Sequence, residues 1–152
     1  MSARIKNLAL VLAEAVKPLQ SLHAVANSAD VPAATMALVH LRASQINGCS
    51  FCVDMAAKHA KKEGESDERL FAVAAWREAP YFTDAERAAL ALSESVTRLS
   101  DSSDPVPDSI WNEAARHFEQ KALAALLLWI STSNLYNRLN VAIRHPAGAS
   151  WS

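Results

Sequence analysis

Apolar residues recur along this chain at steps of three and four, the period of an α-helix, and no stretch sustains the apolar–polar alternation that marks a half-buried strand. The pattern predicts helices over residues 4–16, with an interruption at Pro18, and over 19–29. Asp30 followed by Pro32 is a start signal for a third helix through Met36, Val39 and Arg42, ending near Asn47-Gly48. A fourth spans residues 50–62 and stops at Gly64, a glycine C-cap. Residues 66–76 read as a fifth, closed by the Pro80 region. Thr83-Asp84-Ala85-Glu86 then matches a capping box ahead of Ala88, Ala89, Leu92 and Val96 at helical spacing. Residues 100–107, rich in Ser, Asp and Pro, form a loop before helices over 108–117 and 120–144. The segment 122–130 is apolar on every side and is predicted to be the central buried element.

Composition supports an all-α fold: alanine is abundant and only 3 glycines are present. At 152 residues the chain is expected to be one domain, 1–152, with enough sequence for a substantial core. Lys and Arg (15) nearly balance Asp and Glu (16), which leaves no basic footprint for nucleic acid or a membrane surface. The longest apolar run falls well short of the ~20 residues that cross a bilayer, and the first residues do not read as a secretion signal. The expected location is the cytoplasm.

The two cysteines of the chain stand together as Cys49-Ser50-Phe51-Cys52, where the Asn47-Gly48 turn gives way to a helix. Thiols three residues apart at a helix start lie close enough to join, and unpaired backbone N–H groups there favour the reactive thiolate. In a cytoplasmic protein such a pair is redox-active or metal-binding more often than a structural staple. A zinc site needs about four ligands, and no second Cys pair or paired-histidine segment completes one, so no metal is assigned. No cofactor is assigned either, since the chain holds no glycine-rich phosphate loop, and neither a Ser-His-Asp nor a paired-carboxylate motif is seen. His23, His40, His59, His117 and His145 form no motif individually. Trp76 and Trp129 read as core or interface anchors, and Asn134, Asn137 and Arg138 as groups that fix helix or subunit contacts.

The run from Leu41 to Met55, Leu-Arg-Ala-Ser-Gln-Ile-Asn-Gly-Cys-Ser-Phe-Cys-Val-Asp-Met, resembles the core motif of the carboxymuconolactone decarboxylase and alkylhydroperoxidase D-like (AhpD-like) family. Ala75-Trp76-Arg77-Glu78, the helix over 83–98, and Asn134-Leu135-Tyr136-Asn137-Arg138-Leu139 resemble later family segments in the same order, so the likeness spans residues of about 30–148. It implies an AhpD-like helical bundle assembling as a homo-trimer or homo-hexamer. It also implies thiol-dependent peroxidase or disulfide oxidoreductase activity, with Cys52 attacking the peroxide, Cys49 resolving the sulfenic acid, and an external thiol or disulfide reductase system as the reducing partner.

Peroxidase members of the family carry a relay glutamate twelve residues before the first cysteine and a relay histidine four after the second; these positions are Ala37 and Ala56 here. Alanine moves no proton. Three replacements are candidates. His40 shares the helical face of Ala37. His59 follows Cys52 by seven residues, about 10 Å along the axis at ~1.5 Å per residue, so it would act through water. Glu94 is an acid in an Ala/Leu-rich helix, to be weighed against a solvated charge. The loss of both relay positions favours an alternative reading, a redox-sensing or scaffold protein, while the dithiol counts against a lactone-decarboxylase-like enzyme.

Overall fold

The computed structural model describes residues 2–149. Within them the chain is all-helical. Its helices are α1 (Leu8–Val11), α2 (Val16–Ala26), α3 (Ala33–Ile46), α4 (Ser50–Lys62), α5 (Asp67–Ala72), α6 (Asp84–Thr97), α7 (Asp108–His117) and α8 (Gln120–Ile143), with single 3₁₀ turns at Ala13–Ala15, Val73–Ala75 and Leu99–Asp101.

The N-terminal region departs from the predicted pattern. Residues 4–16 do not form one helix: α1 is a single turn capped by the Asn7 side chain, which accepts the Ala9 N–H at 2.9 Å. The next helix begins at Val16, and Pro18 lies within its first turn, where a missing N–H costs nothing because those groups have no partner within the helix. Downstream, the capping box is formed in full, Thr83 Oγ1 accepting the Glu86 N–H at 3.2 Å and Glu86 accepting the Thr83 N–H at 2.8 Å.

α3 is the central strut. Its Met36 and Val39 enter a core with Leu92 of α6 and Leu126, Trp129 and Ile130 of α8. Its Leu38 and Leu41 enter a second core with Ala56 and Ala60 of α4, Leu70, Val73, Trp76, Phe82 and Leu90. A helix with apolar residues all round must be buried on every side, and α3 is flanked by α4, α6 and α8. The apolar segment of α8 is likewise buried or half-buried at every position from 122 to 130 except Ala124.

Candidate functional site

The site is built where α3 hands over to α4. Gly48 takes the left-handed conformation (φ +65°) that ends α3 in a Schellman turn: its N–H reaches Gln45 O at 3.2 Å and the Cys49 N–H reaches Ser44 O at 3.0 Å. Cys49 is therefore locked to the end of one helix while serving as N-cap of the next. Its Sγ accepts the Cys52 N–H at 3.3 Å, a contact that favours a thiolate on Cys49. Cys49 and Cys52 are bonded as a disulfide with their Cα atoms 5.3 Å apart, and both are buried, at 1% and 3% exposure. Phe51 lies between them in sequence and packs edge-on against His145 at 4.3 Å.

α8 holds this turn in place. Asn47 Nδ2 donates to Asn134 Oδ1 and Asn137 Oδ1, both at 2.9 Å, and Asn137 Nδ2 donates to Ser44 Oγ at 2.9 Å. The two asparagines thus fix helix contacts, and the contact they fix is the one that aims the dithiol. One turn further along, Asn140 Nδ2 donates to Cys52 Sγ at 3.5 Å.

Three cavities meet this region. The first, about 440 Å³ and largely apolar, has Cys52, Phe51 and Met55 of α4, His40, Trp129 and Asn140 in its wall, with α2 closing the far side through Val16, Leu19 and His23. The second, about 350 Å³, opens on Cys49 instead and is walled by the start of α4, Asn140 and residues 144–147. The third, about 660 Å³, adjoins the first through His23, His40 and Trp129 and contains Ala37, Ala56 and His59.

The direction of the helices separates the candidate relay groups. α3 runs toward the dithiol, so His40, one turn after Ala37, is nearer to it. α4 runs away, so His59, one turn after Ala56, is farther. Accordingly His40 lines the cavity that Cys52 faces, and His59 lines only the adjoining one. His40 Nδ1 is hydrogen-bonded to Ser133 Oγ at 2.8 Å, and burial, reinforced by His23 and His59, lowers its pKa to about 4. Its imidazole is neutral at physiological pH. The Ser133 hydroxyl can either donate to or accept from Nδ1, which leaves Nε2 free to act as acid or base.

Glu94 is differently placed. It is buried at 3% exposure and is not a solvated charge. Its carboxylate accepts from Arg42 Nε at 2.7 Å and Trp76 Nε1 at 2.9 Å, and it pairs with Arg77 at 2.6 Å and Arg98 at 3.5 Å. Burial works against its ionisation, but the bonds from Trp76, Arg77 and Arg42 outweigh it and hold the carboxyl below its ordinary range. It lines none of the three cavities, so Glu94 ties α3 to α6 and to the segment after α5.

Ser133, Asn140 and His23 were not singled out by sequence reasoning. A signal was present for two of them: Trp129, Ser133, Tyr136 and Asn140 follow one another at steps of four, three and four, which aligns them on one face of α8. His23 carried no such signal, because only the packing of α2 on α8 brings it in. Trp129, besides donating Nε1–H to Met36 O at 2.8 Å as a core anchor, also forms a wall of the first cavity. Among the described residues, no group of three or more His, Cys, Asp or Glu is placed to hold a metal ion, and no helix is long and apolar enough to cross a membrane.

The chain is similar to proteins already known. YdfG, an uncharacterized protein of Bacillus subtilis strain 168, is 32% identical over 136 residues, covering 90% of this chain and 91% of that protein. YnjA, an uncharacterized protein of Escherichia coli K12, is 40% identical over 111 residues, 72% of this chain but only 59% of that protein. The crystal structure of ATU0492 from Agrobacterium tumefaciens, described as a protein of unknown function and provisionally as the antioxidant defence protein AhpD, superposes with a TM-score of 0.90 at 32% identity, over 98% of this chain and all of that one. The sequence model of the carboxymuconolactone decarboxylase family matches residues 14–95, a span that contains the dithiol, His40 and both alanines, and the chain belongs to that family, with the AhpD-like fold.

Proposed function

We propose that this protein is a thiol-dependent peroxidase that reduces organic hydroperoxides at Cys52. The observation that carries the reading is that Cys52 and His40 share the wall of one largely apolar cavity while Cys49, bonded to Cys52, lines a different one. In the reduced enzyme the neutral His40 imidazole, too weak a base to hold the Cys52 thiol proton at rest, relays it to the leaving oxygen in the same step as sulfur attacks. The sulfur attacks a peroxide oxygen, the O–O bond breaks, and the alkoxide leaves as alcohol with the proton from His40. Cys49 Sγ then attacks the sulfenic sulfur; the S–S bond forms, the S–O bond breaks, and the hydroxyl leaves as water with the proton the Cys49 thiol gives up. An external thiol system returns the dithiol. Phe51, Met55 and Trp129 around Cys52 suit an apolar substituent on the peroxide better than hydrogen peroxide alone.

The test is peroxide consumption with a thiol reductant by wild type, Cys49→Ser, Cys52→Ser and His40→Ala. Loss of turnover in Cys52→Ser, a single-turnover burst in Cys49→Ser and a fall of about 10²-fold or more in His40→Ala are expected. Full turnover by Cys52→Ser would refute the reading. A second reading, a redox sensor with little turnover, is favoured by Ala37 and Ala56, which leave the relay positions of the third cavity without an ionisable group.

Exposed Leu10 (64%), Val11 (58%), Leu12 (43%) and Val25 (59%) on α1, the turn after it and α2 support homo-oligomeric assembly. A homo-trimer or homo-hexamer is the proposed form.

A further inference from the structure

The geometry points to two separate entrances to the disulfide: peroxide reaches Cys52 through the apolar cavity, and a small anionic thiol, one carrying a carboxylate, reaches Cys49 through the second cavity, where Arg144 and the start of α4 receive its charge. This inference rests on the cycle proposed above for the direction of electron flow, but its chemistry is read without peroxide.

Each cysteine lines a different cavity, and of the residues around them only Asn140 lines both. Thiol–disulfide exchange needs the incoming sulfur nearly in line with the bond it breaks, so attack on Cys49 must come from the side away from Cys52. The second cavity is lined by Cys49 and not by Cys52. Its surroundings are positive: the α4 N-terminus contributes N–H groups of the first turn, and Arg144, exposed, has no hydrogen-bonding or ion-paired side-chain partner among the described residues. The nearby acid, Asp54, is neutralised by Lys58 at 2.7 Å and by the Gly148 N–H at 3.0 Å, which also pins the chain after α8 against α4.

Arg144 itself is an anomaly. It ends α8 in the left-handed conformation (φ 57°), and among the described residues it is the one non-glycine with positive φ. The His145 N–H to Asn140 O (2.9 Å) and Arg144 N–H to Val141 O (3.1 Å) bonds complete the same Schellman turn that glycine makes at Gly48 and Gly64. Glycine fits this position with less strain, so an arginine here points to a use for its guanidinium.

The exchange balances as follows. The incoming thiolate bonds to Cys49 Sγ, the Cys49–Cys52 bond breaks, and the electron pair leaves on Cys52 as a thiolate beside Asn140 Nδ2, ready for the next peroxide. A second thiolate attacks the reductant's own sulfur in the mixed disulfide. Cys49 then leaves as a thiolate toward the Cys52 N–H, and the reductant departs as its disulfide.

The test uses protein oxidised with diamide and follows reduction by 3-mercaptopropionate, 2-mercaptoethanol and cysteamine at matched thiolate concentration. With each rate divided by that thiol's rate toward a small neutral disulfide, which removes the difference in intrinsic nucleophilicity, the anionic thiol is expected to react about two- to five-fold faster than the cationic one, the size of one partly exposed charge pair. Arg144→Gly, which suits the left-handed turn, should at least halve that ratio, and Arg144→Lys should retain it. Acid-quenched peptide mapping should find the mixed disulfide on Cys49. An adduct confined to Cys52, a ratio of one or less, or a ratio unchanged in Arg144→Gly would overturn the inference. Protein that shows the charge preference but consumes no peroxide would overturn the peroxidase reading alone.

Discussion

Lowering the pH from 7 to 4 should destabilise the protein through His40 in particular. An unfolded chain binds a proton at this residue near pH 6.5, whereas the folded site resists it down to about 4, because burial and then the neighbouring His23 and His59 disfavour the imidazolium. Between those values the unfolded state holds more protons, so stability must fall as pH falls. At about 1.4 kcal/mol per pH unit, the interval from 6.5 to about 4 amounts to about 3 kcal/mol. Other groups titrate in the same range, including His23, so the measurement is a difference: urea unfolding of wild type and His40→Gln at pH 7 and pH 4. Wild type should lose about 3 kcal/mol more than the variant over that span, since glutamine has no proton to gain. Parallel pH dependences would refute the reasoning. They would mean that His40 is solvated in the folded protein and protonates as easily there as in the unfolded chain, contrary to its burial beside Ser133.

Ala37→Glu with Ala56→His places both relay groups at positions that line the third cavity, and should raise peroxide turnover by about 10²-fold, a gain that vanishes when Cys52→Ser is added. Glu94→Gln should cost about 2–3 kcal/mol in chemical denaturation by leaving Arg42 without its buried partner, yet leave turnover per folded molecule nearly unchanged; a loss of turnover with stability intact would make Glu94 a proton carrier after all. Arg144→Gly should raise stability by up to about 1 kcal/mol by relieving the left-handed turn, read from the same urea curves. Size exclusion with light scattering should find wild type above monomer mass at micromolar concentration, and Leu10→Glu with Val25→Glu should shift it toward monomer.

How much of this was legible in the sequence follows the range of the interactions. Helix ends were readable because their signals are local: Thr83 with Glu86, Gly64 after Lys62 and Gly48 after Ile46 each act within a few residues. Residues 4–16 had a helical period but not the packing that makes a short helix stable, for Leu10, Val11 and Leu12 remain exposed and only one α-helical turn forms there. The dithiol was likewise local. Its surroundings were not: Ser133 and Asn140 come from a helix some ninety residues away, as the separations of 93 to His40 and 88 to Cys52 record.

Glu94 looked catalytic because a lone acid in an apolar helix has no visible partner in sequence, and its arginines arrive from α3, from after α5 and from one turn ahead on α6. One distinction between the histidines was nonetheless implicit in chain direction. A helix that ends at the dithiol carries a residue closer to it with each turn, and a helix that begins there carries one farther away. Moving a relay group one turn along both helices therefore brings His40 to the wall beside Cys52 and sends His59 to the adjoining cavity, so of these two only His40 lines the cavity of Cys52, and the second histidine in that wall is His23, brought there by α2.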